Sequence, residues 1–299
     1  MRKFSFETLD EPNFMREEKL SLDKIIGQPN EFLLRLAIKG IEEKFQGQEM
    51  AYFHHNINRL RIKNLSKSMI AKHDRRTNRV LDATYSSNRN ILFLPDNIKK
   101  EDLNHEMLHV ASSTKKGPLT RFSGFKVIKG LSVTGFAISE GYTQLLTDDY
   151  LNDEPDESHY PLDKRYARCI QDIVGKYDMM FHYFTGNLKG LMRELRRYYS
   201  YEEIAEFILD MDEIHLLLNL RNFTDYEEAE LATLLDRTND LLMIGYERKF
   251  MERFMSDEEK QPYMDHFDDL VDMQADAIEY VARKAEENIK EHCSIVYKV

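Results

Sequence analysis

The stretch "NHEMLH" at residues 104–109 places two histidines four positions apart, with a glutamate directly after the first. It lies in a segment, 98–113, whose apolar residues recur at helical spacing. On a helical wheel with His105 at zero, His109 falls at about 40° and Glu106 at about 100°. Leu103, Met107, Val110 and Ala111 fall at about 140–240°. The two imidazoles therefore share a face roughly opposite an apolar anchor. Two nitrogens one turn apart can converge on one metal ion while the anchor holds the helix in the core. Glu106 lies to the side, badly placed to ligate the same ion but within reach of a water beside it. The competing reading is a solvated helix with two incidental histidines.

Upstream, "RVLDATYSSNRNILFLP" (79–95) has two short β-like runs around a turn-prone Ser-Ser-Asn-Arg-Asn segment. "NILFL" (90–94) has the composition of a strand just ahead of the motif helix, and it fits an edge strand or an ordinary core strand equally well. "PNEFLLRLAIKGIEEKF" (29–45) predicts an amphipathic helix capped by Asn30, with Phe32, Leu33, Leu36, Ile38 and Ile41 on its apolar face. Residues 55–72 carry many Arg and Lys and read as a solvated basic face.

Downstream, Gly117, Gly124, Gly130 and Gly135 punctuate short runs that suit a loop or hairpin. A second helix is expected near Ser139, and "NDEPDESHY" (152–160) forms an acidic loop. After Pro161 the pattern is helical. Capping boxes pair Ser200 with Glu203, Thr224 with Glu227 and Ser256 with Glu259, and Pro262 falls in or just after the last of these first turns. The fold class expected is α+β and predominantly helical. A covering segment (1–45) leads into a core (46–150), followed by a helical C-terminal region (161–299).

A catalytic metal usually has three protein ligands. "GFAISEGYTQLLT" (135–147) offers Glu140 at the start of the second helix. With "HEMLH" (105–109) and "SEGYTQLLT" (139–147) together, the chain resembles the gluzincin zinc metallopeptidases, whose HExxH helix is followed by a second helix bearing a glutamate ligand. The resemblance covers about 90–150. Thirty residues separate His109 from Glu140, longer than in thermolysin-like members. No HExxHxxGxxH is present, so a metzincin reading fails.

The resemblance implies a zincin-like core with a small twisted sheet, and zinc (Zn2+) as cofactor. It implies His105, His109 and Glu140 as metal ligands, Glu106 as general base and acid, and a peptide or protein as substrate. It also implies a Tyr or His that stabilises the oxyanion across the cleft. His159 and Tyr160, in "ESHYPL", are the first choice, Tyr160 ahead, with Tyr142 and Tyr166 open. Gln144 and Asn104 are candidates for orienting a ligand.

The chain has 299 residues, 42 % apolar and 32 % charged, in the range of a globular protein with a sizeable core. A net charge of −11 argues against nucleic-acid partners and disfavours an anionic membrane. No apolar run reaches signal-peptide or transmembrane length, so a cytoplasmic location is expected. Cys169 and Cys293 are far apart and form neither a disulfide framework nor a thiolate metal site. His54 and His55 are adjacent and diverge, so they read as surface residues. His182 and His215, in apolar helical settings, read as core or boundary residues. "HFDDLVDMQAD" (266–276), which holds His266, lacks the glycine and spacing of a calcium loop. "YDMMFHYF" (177–184) reads as packing.

Two other readings stand beside the peptidase. One keeps metal and fold but acts as a non-catalytic binding or regulatory module, which has no need of Glu106. The other is an all-helical interaction protein in which the motif is accidental.

Overall fold

The computed structural model describes residues 9–13, 16, 18–45, 50–65, 83–155, 159–220 and 224–296. Two helices come first, α1 (Glu31–Lys44) and α2 (Ala51–Ile57). Leu34, Ala37, Ile38 and Ile41 of α1 are buried, at spacings of three and four, so they form one stripe. Phe32 and Leu36 lie off that stripe and are exposed, unlike the face expected from sequence. Asn30 does hold the N-cap position, but in a left-handed conformation and without a side-chain cap bond.

Strands β1 (Arg61–Asn64), β2 (Thr84–Ser86) and β3 (Ile91–Leu94) form a sheet of order β1-β3-β2. β3 runs parallel to β1 and antiparallel to β2. The "NILFL" segment is therefore the central strand and not the edge. Its near-continuous apolar run explains this, since Ile91, Leu92 and Leu94 are all buried. The edge beside the motif helix is β2. The 79–82 part of the first β-like run lies outside the described residues.

The motif helix is α3 (Lys100–Ala111). The glycine-punctuated stretch after it is an antiparallel meander of four strands, β4 (Ser113–Lys116), β5 (Thr120–Ser123), β6 (Lys126–Lys129) and β7 (Ser132–Thr134). Gly117, Gly124 and Gly130 turn its corners at positive φ. Helix α4 (Phe136–Tyr150) follows and starts earlier than Ser139. Its N-terminus is capped from a distance. Asp212 of α8 (Tyr201–Leu218) accepts the Gly135 and Ala137 N–H groups, each at 2.8 Å.

The remaining helices are α5 (Pro161–Val174), α6 (Lys176–Phe184), α7 (Leu188–Leu195), α9 (Asp225–Arg253) and α10 (Asp257–Val296). The capping boxes hold: Ser200 and Glu203 exchange both bonds, as do Ser256 and Glu259, and the Thr224 N–H donates to Glu227. Pro262 lies inside α10, past its first turn. The chain is thus α+β and mostly helical, and the all-helical alternative does not hold. One continuous apolar core runs from Ile25 to Ala285. No helix among the described residues is long and apolar enough to cross a membrane.

The tightest constraint lies between α4 and α5. A Cβ placed on Gly141 would stand 2.1 Å from the Asp163 carbonyl oxygen. Only a residue without a side chain lets α5 start there. Gly141→Ala is expected to cost about 1–3 kcal/mol in urea unfolding as the two helices are forced apart. A loss within error would mean that the crossing is slack.

Burial pushes the Asp212 carboxyl up to about 6, against the partial relief of the Ala137 and Gly135 N–H groups. A carboxyl raised in the folded state favours folding most when protonated, and this contribution is lost as pH rises through about 6. The stability of wild type relative to Asp212→Asn should therefore increase as pH falls from about 7 to about 4. Parallel unfolding curves at both pH values would contradict that sign.

Candidate metal centre

Helix α3 presents His105 and His109 one turn apart, and both are buried although polar. The opposite side of α3 carries Leu103, Met107, Val110 and Ala111, all in the core. Helix α4 brings in Glu140, which is 5 % exposed. The three side chains form a group whose donor atoms all lie within 4.8 Å of one another. His109 Nε2 stands 3.2 Å from His105 Nε2 and 3.0 Å from Glu140 Oε2. His105 Nε2 stands 3.4 Å from the same oxygen. Around a four-coordinate ion with bonds of about 2.05 Å, neighbouring ligand atoms stand about 3.3 Å apart. The donor set fits a divalent metal ion in both spacing and chemistry.

Proton positions support the same conclusion. The Gln144 amide nitrogen donates to Asp148 Oδ1 at 2.9 Å, so its oxygen faces His105 Nδ1, also at 2.9 Å. His105 Nδ1 then carries the proton, and Nε2 turns a lone pair toward Glu140 and His109. Lone pairs packed this closely in a buried place require a cation or added protons. Burial opposes the charged form of His105, but the Glu140 hydrogen bond and charge, with Glu106 and Gln144, raise it above its ordinary range. Burial also opposes the Glu140 carboxylate. The charges of His109 and Lys126 and both histidine hydrogen bonds nevertheless hold it well below the ordinary carboxylate range.

The surrounding shell is built from three elements. Gln144 orients His105, as expected from sequence. Asp148, one turn beyond Gln144, also takes Lys164 Nζ at 2.9 Å. Ser123 Oγ of β5 makes a long contact of 3.4 Å to His109 Nδ1, and Ser113 Oγ donates to the His109 carbonyl at 2.6 Å. Lys126 Nζ of β6 lies 3.3 Å from Glu140 Oε1. Asn104 is buried but bonds the Leu151 carbonyl and the Asn152 side chain, tying α3 to the end of α4. It makes no hydrogen bond to a ligand side chain.

Glu106 is half-buried on the flank of α3. Its Oε2 accepts the Tyr85 backbone N–H at 2.7 Å. The edge strand therefore fixes one carboxylate oxygen beside the His-His-Glu group.

Tyr160 is the tyrosine that the chain brings to the centre. It occupies the N-cap of α5 at φ 50°, just before Pro161. Its ring stacks on His105, centroids 5.5 Å apart and 13° from parallel. Tyr142 and Tyr166 are instead core residues, bonded to Gln171 and Thr238. His159 Nε2 lies 3.8 Å from Asp102. Tyr160 also stacks on His215, at 5.9 Å and 21°. His215 is buried, as its apolar setting implied. Its Nδ1 is 2.6 Å from Asp163 Oδ2, and its Nε2 is 3.2 Å from the Asn219 amide. With both nitrogens engaged, His215 acts as a buttress for Tyr160.

Sequence reasoning missed Lys126, the Asp163–His215 pair and the Lys164–Asp148 pair. One signal was available for the last. Glu140, Gln144 and Asp148 recur every four residues on a helix that is otherwise buried and largely apolar. His54 and His55 are half-buried, and both are tied to Glu18. Cys169 is a buried core thiol pushed up to about 12 by burial.

No protein-family model, curated protein or solved structure matches this chain.

Elemental analysis should find about one divalent metal per wild-type chain after dialysis. Glu140→Ala should lose most of it while keeping the wild-type circular dichroism. Equal metal content in the two proteins would remove Glu140 from the centre.

Proposed function

We propose that this chain is a zinc-dependent peptidase of the gluzincin type, built on a zincin-like core. The observation that carries this reading is the placing of Glu106. A His-His-Glu group needs no additional carboxylate to hold an ion. Here one stands on the same helix, half-buried, with a single oxygen anchored by the edge strand. Two imidazoles and one carboxylate suit zinc, which has no redox chemistry of its own. When bound there, zinc supplies Lewis acidity toward a carbonyl and lowers the pKa of a water to about 7.

The chain's own residues supply the rest. The Tyr85 N–H holds Glu106 Oε2, which leaves Oε1 to take a proton from the attacking water and pass it to the leaving nitrogen. Tyr160 stacks its ring on both His105 and His215, which sets it beside the His-His-Glu group. Its phenol is the candidate donor to a developing oxyanion. The substrate is a peptide or protein segment in extended form. It lies along the outer edge of β2, on which no other strand pairs among the described residues. The acidic net charge gives no electrostatic footing for a nucleic acid.

Glu106→Gln is expected to keep its metal and to lose about 10²–10⁴ in the rate of peptide cleavage. The assay is a mixed peptide library read by mass spectrometry, with zinc-loaded wild type as reference. Zinc-loaded wild type that cleaves nothing would support the non-catalytic, metal-holding module.

A further inference from the structure

The two oxygens of Glu140 have different partners. Oε2 points to the two histidine nitrogens, at 3.0 and 3.4 Å. Oε1 faces the Lys126 ammonium at 3.3 Å. We propose that Lys126 is a positioning residue that keeps Glu140 a one-oxygen ligand. This inference rests on the metal reading of the His-His-Glu group and deepens it.

The local structure delivers Lys126 with little freedom. Residues Gly124 and Phe125 form a two-residue corner between β5 and β6, which sets Lys126 directly opposite Ser123. Ser123 is the residue against His109. One tight turn therefore serves two of the three ligands. The Lys126 ammonium also lies over the Phe136 ring, 4.4 Å from its centroid. Phe136 is the first residue of α4, the helix that carries Glu140. The lysine side chain is 23 % exposed, so water only partly competes for its charge.

The physical consequence concerns the number of donor atoms. A carboxylate can give an ion one oxygen or two. An ammonium beside Oε1 competes for that oxygen's lone pairs and stabilises the negative charge left on it. Glu140 then offers Oε2 alone, and the protein supplies three donor atoms. Without the ammonium, Oε1 can rotate toward the same point and the protein supplies four. A site that must accept water or substrate as well needs the former. Lys126 is not itself a donor to the ion, because its ammonium has no lone pair.

The test uses cobalt(II) as the metal probe on the full chain, because its visible spectrum reports coordination number and geometry. Wild type, Lys126→Met and Lys126→Arg are loaded with one equivalent of Co2+. Methionine keeps an apolar stem against Phe136 and removes the charge, while arginine can still donate to Oε1. Lys126→Met should bind Co2+ with d–d absorbance reduced about twofold, the mark of a higher coordination number. Lys126→Arg should restore the wild-type spectrum. Wild-type absorbance in Lys126→Met would overturn the role of Lys126 and leave the metal centre standing. If wild type binds no Co2+ at all, both fall. Should Lys126→Met fail to fold by circular dichroism, Lys126→Gln replaces it, with a spectrum between the two expected and an unchanged one counting against the proposal.

Discussion

The structure depends on one close approach, that of the α5 N-terminus to α4 at Gly141. At this point a backbone carbonyl occupies the space where a Cβ would be. The contact lies one residue after Glu140, so it fixes the helix turn that carries a ligand. It also sets the entry of α5. Tyr160 consequently lies over His105, Asp163 against His215, and Lys164 against Asp148. A side chain at position 141 would push these three contacts away together.

Burying so many polar groups is expensive, and the chain offsets the cost by pairing them. His105 has Gln144, Glu140 has Lys126, and Asp148 has Lys164. These partners come from helices and short strands joined by tight turns, and not from long loops. That choice gives orientation: each imidazole and each carboxylate oxygen is assigned a direction before any ligand arrives. Asp212 contributes at one remove, since it caps α4 and holds the register of Glu140.

Much of this was legible in the sequence, for physical reasons. The HExxH spacing is a local helical property, so one wheel was enough to place both histidines and the anchor. Capping boxes are equally local, and the three predicted at Ser200, Thr224 and Ser256 are present. Non-local features were harder. "NILFL" fits an edge or a core strand by composition alone, and only its pairing with β1 and β2 decides for the centre. Phe32 and Leu36 were placed in the core because hydrophobicity was counted without the phase that Leu34, Ala37, Ile38 and Ile41 define. Lys126 and His215 gave no signal, since each acts on a residue remote in sequence or on a ring that only the fold brings near. The glycine-rich stretch suits a loop or a hairpin by sequence, and the fold makes it a four-stranded meander. Its corners were visible, but how the runs between them pair is a tertiary outcome.

The buried run from Lys164 through Asp148 and Gln144 to His105 has a thermodynamic meaning of its own. It ties the docking of a helix more than fifty residues away to the aim of one imidazole nitrogen. Anything that binds only when that nitrogen is aimed stabilises the docked helix by mass action, and by the same amount. Occupancy of the centre and cohesion of the α4–α5 seam are therefore one equilibrium. A change in either is felt in the other without any further moving part.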